Sequence, residues 1–226
     1  MTHRDTRDLR DPELGRATVH PPLILASTSR WRAELLAKLG VPFETRAPIG
    51  ADETPRPGER VDHMVERLAV VKARAVQAAG AIPSNALIVG SDQSAEVDGE
   101  ILRKPGNAAR AHQQLRILSG RRVCFHTGLA LLDVSNDHIR STVETYTVCF
   151  RKLSDDLITR YVATESPFDS VGAFRSEGHG IVLFDALIGN DPNTLVGLPL
   201  IRLAQWLESA RVSLLQTRPL GDHSGS

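Results

Sequence analysis

Polar and apolar residues follow each other along this chain at two different rhythms. Short apolar runs, closed by glycine or polar residues, read as strands; longer stretches with apolar residues three or four apart read as helices with one buried face. Pro22-Leu23-Ile24-Leu25-Ala26 is a run of the first kind. Residues 30–39 are of the second kind: Trp31, Leu35 and Leu39 share a face, and Gly40 is a good stop. Phe43-Glu44-Thr45-Arg46 alternates weakly and predicts a second strand. Residues 61–79 make a long helix with Val61, Val65, Leu68 and Ala75 as its stripe and Lys72 inside that stripe. Leu87-Ile88-Val89-Gly90 then predicts a buried strand that ends on the polar tip Ser91-Asp92-Gln93.

The second half continues in the same way. Asp98-Gly99 is a hairpin signal leading to a strand that closes at Lys104-Pro105. A helix over 107–118 ends at Gly120, and strands follow over 123–133 and 143–151 around the turn Asn136-Asp137. Ser154 caps a helix over 154–163. A glycine-rich polar segment, residues 172–180, runs into an apolar strand over 181–184; Asp191-Pro192-Asn193-Thr194 is a turn, and 198–210 is a final amphipathic helix. Hairpins and crossovers occur together, without repeats or linkers, so the expected fold is α/β with a mixed sheet and flanking helices.

Composition narrows the class. The 226 residues are 41% hydrophobic and 24% charged, enough for one large domain or two small lobes. Lys plus Arg and Asp plus Glu, 27 of each, cancel. That argues against nonspecific binding to nucleic acid or to a membrane surface and leaves room for a local basic pocket. No apolar run reaches the ~20 residues of a membrane span. The opening stretch is rich in Arg and Asp and lacks the apolar centre of a secretory signal. Residues 1–21 therefore read as a disordered extension, 22–211 as one folded domain, and 212–226 as a loose tail. Cys124 and Cys149 show no metal-ligand spacing and read as reduced core thiols of a cytoplasmic protein, with a bridge between them left open.

Four stretches carry candidate chemistry, each beside an ordinary structural reading. Asp92 follows a buried strand, where a carboxylate can hold a metal or accept a proton from water; a turn or cap aspartate is the commoner role there. Ser27-Thr28-Ser29 stands between a strand and a helix N-terminus, a place suited to phosphate, with Arg32 in the first turn as a bidentate partner. A plain serine cap satisfies the same residues. Trp31 is a core residue or a stacking platform for a base. Asp52-Glu53 is a solvated turn or a site for metal and water. Lys72 in an apolar stripe usually snorkels to water, and position alone favours that over an ammonium reaching an anionic ligand. The segment 172–180 is a ligand loop or a mere connection, and His179 is assigned no role.

Together and in order, Leu25-Ala26-Ser27-Thr28-Ser29-Arg30-Trp31-Arg32, Asp52-Glu53-Thr54, Gly90-Ser91-Asp92-Gln93, Lys104-Pro105, Thr127-Gly128 and Asn193-Thr194-Leu195-Val196-Gly197-Leu198-Pro199 resemble the Maf family of nucleotide pyrophosphatases. The resemblance spans residues 22–210. It implies two lobes around a cleft, a fold similar to inosine triphosphatases (Maf/Ham-like), and hydrolysis of a nucleoside triphosphate to its monophosphate and diphosphate with a divalent metal, Mg²⁺ or Mn²⁺. It puts the proton acceptor on Asp92, its acidic metal-site partner on Glu53, and phosphate binding on Ser27, Arg32, Lys72 and Lys104. Base choice falls on Trp31, Gln93 and Glu177, a set that resembles the 7-methyl-GTP branch; the dTTP/UTP branch carries a basic residue in place of Trp31. The runs Ser176-Glu177-Gly178 and Asp191-Pro192-Asn193-Thr194 also resemble that branch. Arg30 departs from the pattern, because the family usually has proline there.

These residue types suit that chemistry. Carboxylates hold hard cations, and cations stabilise a departing diphosphate. A 7-methylguanine ring is positively charged, so an indole face attracts it and a carboxylate accepts from its N–H donors. The expected role is clearance of modified nucleotides. The alternatives are a dTTP/UTP pyrophosphatase of the same family and a nucleotide-binding regulator of septum formation with little turnover. A homodimer is compatible with the sequence, and no surface can be picked out for it.

Overall fold

The computed structural model describes residues 20–215. The extension over 1–21 and the tail over 212–226 thus lie almost wholly outside the described residues. The first four tail residues are within them; there Val212 is buried and the Leu215 amide donates to the Leu39 carbonyl at 3.2 Å.

Seven strands form one sheet: β1 (Leu23–Ala26), β2 (Phe43–Arg46), β3 (Leu87–Val97), β4 (Glu100–Leu102), β5 (Arg122–Asp133), β6 (His138–Phe150) and β7 (Phe184–Ile188). Their order is β2-β1-β3-β5-β6-β7, with β4 on β3. β1 runs parallel to β2 and to β3; the remaining pairs are antiparallel. The sheet is therefore mixed, as the hairpin and crossover signals predict. The β3–β4 connection is a two-residue turn with Asp98 and Gly99 both at positive φ, which matches the twist of the strands.

Among the described residues six α-helices accompany it: α1 (Arg30–Ala37), α2 (Val61–Ala78), α3 (Ala108–Leu118), α4 (Asp155–Glu165), α5 (Asn193–Val196) and α6 (Leu200–Ser209). Alternation along β3 decides what each face meets. Leu87 and Val89 pack with α1 and α6, whereas Ile88 packs with Ala73 and Val76 of α2. Further along, Ala95 and Val97 join a second core with α3, α4 and four edge-to-face phenylalanines, Phe125, Phe150, Phe174 and Phe184. The face of Leu87, Val89, Ala95 and Val97 thus carries two cores, one toward each end of β3.

α2 lies close against the sheet over two glycines. A β-carbon on Gly90 would stand 2.1 Å from the Ala69 carbonyl oxygen, and one on Gly128 would stand 2.1 Å from that of Val65. Any larger residue would push the helix off the strands.

Two expectations from the sequence need correction. Asp92 does not end its strand: β3 runs on to Val97, because Ser91 to Glu96 keep pairing with β5 after the parallel pairing with β1 stops at Gly90. Residues 181–184 are not one strand. His179–Leu183 is a 3₁₀ turn, and β7 starts at Phe184. Asp191-Pro192-Asn193-Thr194 is a turn as expected, closed by the Thr194 amide on the Asp191 carbonyl at 3.0 Å, and it leads into the short helix Asn193–Val196. Both cysteines are free and offset in register, Cys124 facing Thr147 and Cys149 facing Arg122.

Candidate active site

Past Gly90, the alternation of β3 sorts the polar tip onto opposite faces. Asp92 shares the face of Ile88 and Gly90 and points at α2. Ser91 and Gln93 point the other way, at the α5 turn.

On the α2 face, Lys72 is buried, and its ammonium is 2.5 Å from Asp92 Oδ1 and 3.0 Å from Glu53 Oε2. It does not snorkel to water, contrary to what its position alone suggests. The close seating of α2 on Gly90 and Gly128 brings its stem within reach of Asp92. Glu53 comes from an exposed loop that α2 pins down: Arg67 donates to the Thr54 carbonyl at 3.2 Å and makes two 2.6 Å contacts to Glu59. These hydrogen bonds from Arg67 hold the Glu59 carboxyl at about 2, far below its ordinary range. Asp52 is turned away from Lys72 to accept from Thr54, whose hydrogen bonds lower its pKa. Of the two adjacent carboxylates, Glu53 is the one that reaches Lys72.

On the α5 face, backbone carbonyls of the turn gather donors. Arg32 Nε donates to the Gly197 carbonyl at 2.9 Å, and Ser91 Oγ lies 2.9 Å from that oxygen and from the Gly128 carbonyl. Gln93 Nε2 lies 2.8–3.1 Å from the Thr194 carbonyl, the Leu195 carbonyl and Thr127 Oγ1, while Thr127 itself donates to Thr194. The Gln93 amide nitrogen is therefore spent on the turn, and its carbonyl oxygen is the end left for a ligand. Burial pulls the Arg32 pKa down, and the charges of Asp92 and Glu53 pull it back up; a guanidinium stays charged under both influences.

The cavity between these faces is about 640 Å³, a size common for small-molecule sites. Its lining includes Ser27, Trp31, Arg32, Glu53, Lys72, Asp92, Gln93, Lys104 and Glu177, all nine candidate residues, drawn from β1 through the loop before residue 180. Ser27 is buried and accepts from the Ser29 amide at 3.1 Å; Ser29 is the α1 cap, accepting from the Arg32 amide. Glu177 is exposed and accepts from Ser176 Oγ at 2.8 Å. Its loop is fastened on both flanks. Arg175 bonds the Glu165 carbonyl at 3.1 Å and Asp169 at 2.7 Å, and the Glu165 carboxylate accepts from the His179 amide at 2.8 Å and meets the His179 ring. His179, left without a role by the sequence, thus anchors the loop. The hydrogen bonds from its amide and ring lower the Glu165 pKa.

Sequence reasoning placed Ser91, Thr127 and Asp191 within motifs and gave none of them a role. Asp191 is buried and accepts from the amides of Asn193 and Ile201 at 2.9 and 2.8 Å, tying the α5 turn to α6. Thr127-Gly128 was visible as a motif; what the threonine holds depends on a segment 67 residues away.

Fold and cavity define an α/β protein with a pocket lined by cations and by four carboxylates, two of which, Asp92 and Glu53, meet Lys72. The chain belongs to the Maf family: the family profile described as "Maf-like protein" matches residues 22–210. Among its relatives, the 7-methyl-GTP pyrophosphatase of Nitrosococcus oceani is 50% identical over 195 residues, 86% of this chain and 96% of that protein. The protein of that name from Pseudoalteromonas atlantica is 48% identical over 86% and 97% of the two chains, and the one from Chromohalobacter salexigens 51% over 83% and 95%. Among solved structures, a HAM1 protein from Coxiella burnetii aligns with a TM-score of 0.47 at 16% identity, covering 84% of this chain and 99% of that one. No helix among the described residues is long and apolar enough to cross a membrane.

Proposed function

We propose that this chain is a nucleotide pyrophosphatase that hydrolyses 7-methyl-GTP to 7-methyl-GMP and diphosphate. The observation that carries the reading is the convergence of Asp92 and Glu53 on the Lys72 ammonium, in the same cavity as Trp31 and Glu177. The names of relatives at about half identity point the same way.

Asp92 and Glu53 suit Mg²⁺ or Mn²⁺. Both are hard oxygen donors, and both come within 3.0 Å of one point, the Lys72 nitrogen. Among the described residues no group of three or more His, Cys, Asp or Glu side chains converges. Two carboxylates completed by phosphate oxygens and water is a common way to hold Mg²⁺. When bound, such an ion would screen the phosphate charge and lower the pKa of a coordinated water below the ~15.7 of bulk water.

The side chains supply the rest. Asp92 Oδ accepts the proton of the attacking water as its oxygen bonds the phosphorus. An arriving phosphate gives Lys72 a second anion to face, which loosens its hold on Asp92. Lys72, Arg32 and Lys104 meet the negative charge that grows on the departing diphosphate. At the other end the indole of Trp31 attracts the cationic base, and Glu177 accepts from the guanine N–H donors.

The test is diphosphate release from 7-methyl-GTP, GTP, dTTP and UTP, with Mg²⁺ or Mn²⁺, by the wild type and by Asp92→Asn. The expected result is preference for 7-methyl-GTP and a loss of ~10²–10⁴-fold in the variant, the usual worth of a general base. Asp92-dependent cleavage of dTTP or UTP instead would keep the chemistry and overturn the base assignment. Release that does not depend on Asp92 would sink the mechanism.

A further inference from the structure

The Lys72 ammonium stands between the two carboxylates that suit a metal, 2.5 Å from Asp92 Oδ1 and 3.0 Å from Glu53 Oε2. The Lys72 and Asp92 side chains keep only 10% and 13% of their surface exposed, so little water screens the pair. The charges of both carboxylates also reach the Arg32 guanidinium on the opposite face. Around the acid pair, two carboxylates and two cations therefore cancel. A divalent ion entering the free protein meets a neutral group of charges, with an ammonium already on two of the oxygens that would hold it.

We propose that Lys72 closes the acid pair to divalent metal in the free chain, so that the metal enters with the substrate phosphates or after them. This rests on the reading of Asp92 and Glu53 as the metal pair given above. A triphosphate carries several negative charges. Its arrival turns the group from neutral to strongly anionic and offers the ammonium another partner. The lysine stem is flexible enough for Nζ to turn from the carboxylates to phosphate oxygens. The carboxylates are then free, and a divalent ion balances the excess negative charge. Metal alone brings no such exchange. Lys72 thus acts in two opposite directions: it opposes metal in the free chain and favours diphosphate departure during turnover.

The test is titration of the full chain with Mn²⁺ alone, followed by the electron paramagnetic resonance signal of the free ion, for the wild type, Lys72→Met and Lys72→Gln. Methionine suits the apolar stripe of α2 and glutamine its polar end, and thermal melting checks that each variant folds. Both should bind Mn²⁺ about 10- to 100-fold more tightly than the wild type, the scale of removing one positive charge a few ångströms from a divalent ion. Adding Asp92→Asn should abolish the gain. Damaged packing would weaken metal binding, so the sign of the change separates the two roles. A wild type that binds Mn²⁺ as tightly as the variants overturns the proposal, as does a gain that survives Asp92→Asn. Diphosphate release on the same preparations separates this proposal from the reading beneath it. Metal-dependent release by a wild type whose variants gain nothing overturns the role of Lys72 alone. Release that needs no divalent ion, from a chain whose variants bind none, overturns the metal pair and that role together. A gain in Mn²⁺ binding without release from any triphosphate overturns the activity alone.

Discussion

At one end of the cavity, Asp92 sits in the middle of a long strand and Lys72 in the middle of an eighteen-residue helix, and the two touch. Elsewhere in its lining, Trp31 stands half-buried in the first turn of α1, with an exposed arginine over it, and Glu177 is exposed on a loop. Of the groups assigned to bond breaking, Asp92 and Lys72 belong to the framework that closes the core, while Glu53 and Lys104 are exposed. Of those assigned to base choice, Gln93 is fixed on β3, while Trp31 and Glu177 hang from the framework by a few surface contacts. The Asp92–Lys72 pair therefore tolerates little change around it, while Trp31 and Glu177 can be altered without unfolding anything.

The comparison can be broken hardest at Lys72. Lys72→Met should lower kcat/KM by about 10²–10³-fold, the usual scale for removing a preorganised charge, with no change in relative preference among nucleotides. Steady-state assays on the four triphosphates would show it. A variant that altered preference instead would mean the two sets of groups are not separate. Next in size is Gly128→Ala. A β-carbon 2.1 Å from the Val65 oxygen and 2.8 Å from the Glu66 nitrogen must lift α2. Overpacking of this kind costs about 1–3 kcal/mol, a fall of about 2–12 °C in Tm for a chain of this size. Turnover should fall with it, since Lys72 moves with the helix; calorimetry and assay on one sample would test both.

The smallest effect belongs to the loop. Glu165→Gln should raise KM for 7-methyl-GTP about two- to fivefold and leave kcat nearly unchanged, the scale of an exposed ion pair. Its pH behaviour sharpens the assignment. The Glu165 pKa is lowered from 4.5 in the fold, so the anchor is complete above the ordinary glutamate value and is lost as pH falls through the lowered one. Exchange of the His179 amide should accelerate across that acid window in the wild type and show no such step in Glu165→Gln.

Much of this arrangement was legible in the sequence, for reasons that also explain what was not. Short apolar runs and glycine stops located most strands and helices, because their periodicity is local. The same runs misplaced residues 181–184: Ile181, Val182, Leu183 and Phe184 have strand-like side chains, yet Gly180 must sit against the Arg175 backbone, where a β-carbon would be 2.2 Å from its oxygen, and this bends the chain first. Lys72 could not be read because its partner is 20 residues on and its reach depends on two glycines in other elements. The cluster of carbonyls at Thr194, Leu195 and Gly197 was invisible for the same reason, since backbone oxygens leave no trace in a sequence until a distant Gln93 or Arg32 is found to need them.

The seam beneath Gly90 and Gly128 also governs how the protein fails. The helix and the strands can each stay intact while the gap between them opens by the width of one methyl group, and at that point the ammonium no longer meets its carboxylates. A chain with all its secondary structure and none of its turnover is therefore a short step from the native one. In that sense the reaction works as a strain gauge, registering a small parting of two layers well before either layer comes apart.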